Sequence, residues 1–374
     1  MLSTALKFIL YDKPKSIGAL VGIIISIFLV GQQVGIFIFL TDAMKSIVSN
    51  NNRYIWVVDA KTDNANQLAN LDTRVGRQIA CLPGVASVHP VVIAGAAAKF
   101  ADGKSSGVTL VGAEAPGFVG GPWGYSPVYP RDILPEGAVV TESFDKNTLG
   151  GLEPGEYFEI NGKKVHNAAQ TKGVRGFGTP AYMFTTIERA RALANVPTTK
   201  ASMFLVRWRP ETDKQRVIAT INRTLPTVRA WDADAFAAST VNNVLSSSGI
   251  ALSVGTLIVF AVLSGLVIIG LTLYSAAIDR LRDYGTLKAI GATNGYITRL
   301  ILSQALLISL VGFAIGRALV EGFRVGIAQA GTIFNFPIVV QIGFFLLTLT
   351  ISLGGSLFAI RRINSLEPAQ IFRQ

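Results

Sequence analysis

This 374-residue chain has one cysteine, Cys81, and two histidines, His89 and His166. A lone cysteine excludes an intrachain disulfide framework. Beside Leu82 and Pro83, Cys81 is expected as a packed core residue. The histidines stand alone in β-like segments, so no His, Cys or carboxylate cluster has metal-site spacing. Charge is scarce as well: Asp, Glu, Lys and Arg make up 15% of the residues, against about 25% in an ordinary soluble domain. No nucleophile elbow or paired-carboxylate pattern is present. What fills the chain instead is apolar, half of all residues being hydrophobic.

The apolar residues gather in four uncharged stretches: Ile17–Leu40, a run within Gly249–Ile278, Leu300–Gly316 and Phe336–Ile360. Their lengths suit membrane helices, giving one span, about two hundred soluble residues, then three spans. The first run is too long for a signal-peptide core of roughly 7–15 residues and has no small-x-small cleavage site after it. It is expected to stay as an anchor, despite Gln32 and Gln33. The third run falls short of a bilayer core of about 30 Å. Extension to about residue 320, through a snorkelling Arg317, resolves this. Gly312 and Gly316 form a small-xxx-small pair suited to close helix packing.

The formal net charge of +11 would suit a nucleic-acid partner, but its distribution points to topology. Residues 1–16, the loop 279–299 and the tail 361–374 each carry a net +2, whereas residues 41–249 hold 22 basic against 18 acidic residues. Lys and Arg in short loops mark the cytoplasmic side. Both termini are therefore expected in the cytoplasm and the large domain outside it, with lipid headgroups rather than nucleic acid meeting the basic segments. Residues 1–16 read as an interfacial helix, with Leu2, Leu6, Ile9 and Leu10 on one face and Pro14 at its end.

The domain between the first two spans, residues 41–248, is expected to be α+β. Strand-like Tyr54–Val58, a helical pattern at Val75–Leu82 and a β-rich run from Val85 make one βαβ-type unit. Met203–Trp208, Lys214–Leu225 and Val228–Trp231 repeat that grammar. Together, about 50–105 and 200–234 suggest a split ferredoxin-like body. Residues 107–199, rich in Gly, Pro and short strands, suggest a β-rich insertion with a hairpin turn at Asn161-Gly162. No charge occurs between Asp234 and Asp279, so Ala235–Ser248 is expected to continue the second span as a stalk helix.

Ala98-Lys99-Phe100-Ala101-Asp102-Gly103-Lys104-Ser105 approaches a phosphate-binding loop. It lacks the first glycine and the strand-to-helix setting, so it reads as a hairpin turn. The chain thus offers no ATP site of its own. The segment Asp279-Arg280-Leu281-Arg282-Asp283-Tyr284-Gly285-Thr286-Leu287-Lys288-Ala289-Ile290-Gly291-Ala292-Thr293 is more informative. It is amphipathic and glycine-bounded, with Asp279–Arg282 and Arg280–Asp283 at ion-pair spacing. Leu287 and Ile290 beside Lys288 form an apolar edge able to dock in a groove of a partner. An ordinary positive-inside loop is the alternative.

Here the chain resembles the FtsX-like permeases, the type VII ABC-transporter permeases. Arg282 through Ala292 is similar to the family's loop, with Asp283 where glutamate is usual. Glu367-Pro368-Ala369-Gln370-Ile371-Phe372-Arg373 is similar to the family's ending. Phe177-Gly178-Thr179-Pro180 followed by Phe184-Thr185-Thr186 looks most like permeases of the heterocyst-glycolipid-exporter and macrolide-exporter type. The resemblance implies a non-catalytic subunit without cofactors, dimeric, in a bacterial inner membrane. ATP and Mg would be bound by a separate cytosolic ABC ATPase held at Arg282, Asp283, Gly285, Leu287, Lys288, Ile290 and Gly291. It further implies mechanotransmission to the exterior domain, with a periplasmic adaptor and an outer-membrane channel as partners. Gln32 and Gln33 then belong to a dimer seam or face polar cargo. A transducer that activates an extracytoplasmic hydrolase and transports nothing is the alternative.

Overall fold

Gln32 and Gln33 are the most polar residues of Ile17–Leu40, and the helix formed there outruns the apolar stretch at both ends. The computed structural model describes residues 9, 11, 13–124, 128–178, 180–279 and 281–364. Most of the expected interfacial helix, and the family-like ending from Glu367, lie outside the described residues, as do Thr179 and Arg280. Helix α1 spans Lys13–Ser49. The chain divides into two compact units, Leu40–Gly249 and the segments on either side of it.

In the inserted unit, the first elements are β1 (Ile55–Asp59), β2 (Leu71–Asp72), α2 (Thr73–Ala80), β3 (Val85–Lys99) and β4 (Ser105–Ala113). Next come α3 (Pro130–Ile133), β5 (Ala138–Glu142), β6 (Tyr157–Ile160), β7 (Lys163–Thr171), β8 (Ala181–Thr186) and α4 (Ile187–Ala194). The last are β9 (Lys200–Ala201), β10 (Met203–Trp208), α5 (Lys214–Thr224), β11 (Val228–Trp231) and α6 (Ala233–Ser248).

Strands β11, β1, β10 and β3 lie side by side, each pair antiparallel. Two βαβ units far apart in sequence thus interleave into one sheet with the strand order of a ferredoxin-like fold. Both faces are covered, which explains the uninterrupted apolar runs of β1 and β10. On one face Ile55, Val57, Phe204 and Val206 pack with Ile79 of α2 and Val217 and Ile221 of α5. On the other, Trp56, Val58, Met203 and Leu205 share a core with Ile47 and Val48 of α1 and Phe236 of α6.

The long strand β3 serves two bodies. Its first half pairs with β10, its second with β4, and its end also pairs with β6. From β3 the order runs β4, β8, β5, β7, β6 and back to β3, so the insertion closes as a six-stranded barrel. Closure removes the edges that short strands would otherwise expose. A division near residue 105 therefore cuts through the β3–β4 hairpin rather than between two bodies. The phosphate-loop-like segment is the turn of that hairpin, with Phe100 N–H donating to Lys104 O at 2.9 Å. Asn161 and Gly162 both take positive φ, 49° and 76°, as the tight turn between β6 and β7 requires.

Two expectations fail here. Cys81 is exposed: it is the C-cap residue of α2, while Gly76 and Ile79 are the residues that α2 buries. The stalk does not run on as one helix either. Gly249 adopts φ +67° and ends α6, and the next helix starts at Ile250. A left-handed residue stops the backbone hydrogen-bond ladder.

The second unit contains α7 (Ile250–Asp279), α8 (Leu281–Ala289), α9 (Asn294–Ala328) and α10 (Ile338–Asn364), together with α1 up to Phe39. Among the described residues, four helices, α1, α7, α9 and α10, are long and apolar enough to cross a membrane. Helix α9 continues well beyond Arg317. Arg317 pairs with Glu321 at 3.0 Å, and Glu321 also pairs with Arg324. The Arg317 guanidinium lies 5.5 Å from the Phe336 ring centroid. Partnering of this kind lowers the cost of charge near a membrane. Gly312 and Gly316 face Ile23 and Ile27 of α1, and Gly31 and Gly35 of α1 face Val320 and Phe334. Small residues let these helix backbones approach closely.

Candidate coupling site

Helix α8 is only nine residues long, too short to be stable in isolation. It is held by what it buries. Tyr284 is 3% exposed and sits in a cluster with Ile297, Leu300, Ile301 and Ile360, against which Leu287 also packs. Gly285 is buried beside Tyr284. The i,i+3 spacing of Tyr284 and Leu287 puts both on the inward side of the helix.

The helix ends in a Schellman motif. Ala292 N–H donates to Leu287 O at 2.9 Å and Gly291 N–H to Lys288 O at 3.0 Å, with Gly291 at φ +104°. A glycine is needed there because a Cβ disfavours that backbone conformation. Thr293 then caps α9, its hydroxyl accepting from Tyr296 N–H at 3.3 Å. The turn from α8 into α9 is therefore held by hydrogen bonds on both sides.

This arrangement separates residues that look alike in the sequence. Leu287 is half-buried against the helical core, whereas Ile290 is 79% exposed. Asp283, Thr286, Ala289 and Gly291 are also exposed, and Lys288 is half-buried. The outward surface is Asp283, Thr286, Ala289 and Ile290; Leu287 belongs to the anchor. Arg282 lies on α8, and the second expected ion pair, through Arg280, lies outside the described residues. Sequence reasoning missed Tyr284 as the anchor, although its spacing from Leu287 carried the signal.

Gln32 and Gln33 are half-buried on α1. The exposed residues Ile17, Val21, Ile25 and Leu29 recur every four positions, and Gln33 is the next in that series. Among the described residues, no group of three or more His, Cys, Asp or Glu could hold a metal ion.

Residues 255–368, which contain this site, match the model of the FtsX-like permease C-terminal family. The membrane unit carries an FtsX-like permease domain. Two uncharacterized ABC transporter permeases from strains of Mycobacterium tuberculosis are each 29% identical over 109 residues, covering 28% of this chain and 29% of the relative. The match thus spans less than a third of those curated relatives. Among solved structures, the chain is similar to the periplasmic region of MacB from Actinobacillus actinomycetemcomitans (TM-score 0.36, 11% identity, 54% of this chain and 99% of that one). It is also similar to the extracellular domain of the ABC-type transporter YknZ from Gram-positive bacteria (TM-score 0.34, 13% identity, 47% and 98%). Within the FtsX-like domain, α8 is the short element between two apolar helices, and its outward face is the part left uncovered by the domain itself.

Proposed function

We propose that this chain is the membrane-spanning subunit of an ABC transporter, with ATP hydrolysis supplied by a separate cytosolic ATPase that grips the outward face of α8. The observation that carries the reading is α8 itself. It is a short helix pinned by Tyr284, Leu287 and Gly291, and it leaves Ile290 bare. An isoleucine exposed at the end of a rigidly capped helix can seat in an apolar pocket of a partner. The FtsX-like family match supports a permease role.

The finer mechanism is mechanotransmission. Helix α1 is unbroken from Lys13 to Ser49, and Met44, Ile47 and Val48 at its end are buried in the inserted domain's own core. That makes α1 the continuous helical link, while Gly249 supplies a joint between α6 and α7. A homodimer in the bacterial inner membrane, with both termini cytoplasmic, completes the reading. The exposed stripe Ile17, Val21, Ile25 and Leu29 of α1 leads to the half-buried Gln33 and supports a seam with a second copy, because an amide facing lipid would remain unsatisfied. An adaptor and an outer-membrane channel would meet the inserted domain outside the cytoplasm.

The test uses a photo-crosslinking residue at position 290 or 287 in native membranes. Position 290 should capture an ABC-type ATPase subunit and position 287 should not. In the purified complex, Ile290→Asp should lower ATPase stimulation by roughly tenfold or more, the loss of about 1.4 kcal/mol of docking energy. Full stimulation by Ile290→Asp would overturn the docking assignment.

A further inference from the structure

The inserted domain has a second feature that the coupling reading does not use. A cleft of about 350 Å³ is lined by Arg53, Tyr54, Arg207, Trp208 and Pro210. Consecutive strand residues ordinarily point to opposite faces, yet Arg207 and Trp208 both line this cleft. Arg207 stands opposite Ser87 and Trp208 opposite Val85, which leaves Ala86 of β3 as the extra residue. Trp208 keeps the face of Phe204 and Val206, and the cleft lies at the end of β10, where a cation and an aromatic ring both line it.

The surroundings hold that opening in shape. Ser87 Oγ and His89 Nε2 are 2.8 Å apart, and the His89 ring meets Tyr54 edge to face with centroids 6.1 Å apart. Burial lowers the His89 imidazole from its ordinary range, with the Arg207 charge acting in the same direction and Glu114 against it. Trp208 is backed by the Lys214 ammonium, 5.3 Å from its ring centroid. Among the described residues, no acidic side chain lines the cleft. Some arginines of this domain find carboxylates, Arg74 with Asp72 and Arg175 with Asp145, and others bond backbone carbonyls, as Arg189 and Arg191 do. Among the described residues, Arg53 and Arg207 form no such pair.

We propose that this cleft binds a phosphate group carried on an apolar body, the phosphate held between Arg53 and Arg207 and the apolar part against Tyr54, Trp208 and Pro210. Two guanidinium forks match the higher charge and the three or four oxygens of a phosphate better than the two oxygens of a carboxylate. The aromatic wall gives the attached group a surface to cover. A lipid headgroup and a free phosphate share the first half of this chemistry; only the lipid uses the second.

The test is calorimetric titration of the full chain in neutral detergent with three probes: inorganic phosphate, dihexanoyl phosphatidic acid and dihexanoylglycerol. Phosphatidic acid should bind saturably, and Arg53→Gln/Arg207→Gln should weaken it roughly tenfold or more, as expected for loss of charge-assisted forks. Arg207→Lys, which keeps the charge but not the planar fork, should weaken binding less. Both arginines are exposed, so the double variant should unfold at the wild-type temperature. Tighter binding of phosphatidic acid than of phosphate supports the proposal, and equal binding overturns its apolar half, leaving a site for the free anion. Absence of saturable binding by either phosphate probe overturns the proposal. Unchanged affinity in the double variant, or equal binding of dihexanoylglycerol, does the same.

Discussion

Replacing Gly312 with leucine is expected to destabilise the membrane unit by about 3 kcal/mol or more, because overpacking a filled contact forces side chains and backbone to shift. A Cβ at Gly312 would come within 2.5 Å of Ile23 Cγ2 and 3.0 Å of Ile23 Cβ. Those atoms are the branched root of the side chain, so no rotation of a flexible tip relieves the clash. Gly316 faces the matching position one turn on, against Ile27 Cβ at 3.0 Å, which leaves α1 no room to slide along α9. The measurement is the midpoint of thermal aggregation in detergent, followed by size-exclusion chromatography. At Gly322 a Cβ would meet no atom within 4 Å, and Gly322→Leu should leave the midpoint nearly unchanged. Trimming the opposing side chain, Gly312→Leu with Ile23→Ala, should recover much of the loss. Failure of that recovery would show that the two helices do not meet at this pair.

The second large effect lies at Glu142, whose side chain is fully buried. Its carboxylate accepts from Thr171 Oγ1 at 2.8 Å, Gly173 N at 2.8 Å, Val174 N at 2.9 Å and Phe144 N at 3.3 Å. Nearby, Arg175 pairs with Asp145 at 2.5 Å, and burial pushes the Asp145 carboxyl up against the pull of that guanidinium. Glu142→Ala removes the common acceptor and strands buried donors, each costing about 1–3 kcal/mol. A net loss of about 3–5 kcal/mol is expected, in line with breaking a buried charged contact from one side. Denaturant unfolding followed by tryptophan fluorescence checks the magnitude. Trypsin gives a local readout: cleavage after Lys172 and Arg175 should accelerate in Glu142→Ala before global unfolding begins. Unchanged proteolysis there would show that Glu142 does not anchor this segment.

The two effects differ in how far the chain alone announces them. The Gly312–Gly316 spacing is visible in the chain, and it names a close-packing face. Glu142 looks like any carboxylate at the end of a strand, because its donors come from residues 144 and 171–174, and only the pairing of β5 with β7 brings most of them to it. The coupling site falls between these cases. Glycine spacing and amphipathicity marked residues 279–293, but Leu287 and Ile290 look equivalent as apolar residues on one short helix. Which of them faces the bundle depends on where α9 and α10 supply Ile297, Leu300 and Ile360.

By itself, the sequence determined that four apolar helices bracket an α+β domain, since length and charge decide what can enter a bilayer and period decides strand or helix. It also determined the turns at Asp102-Gly103 and Asn161-Gly162, where the backbone conformation is a local property. Tertiary structure alone decided the rest. Pairing of β6 with β3 closed the barrel, and the end of β10 met Arg53 and Tyr54 at one cleft. Gly249 interrupted a segment that no charge or proline interrupts. Each of these depends on contacts between residues distant in the chain or on one backbone angle, and neither leaves a periodic trace in the sequence.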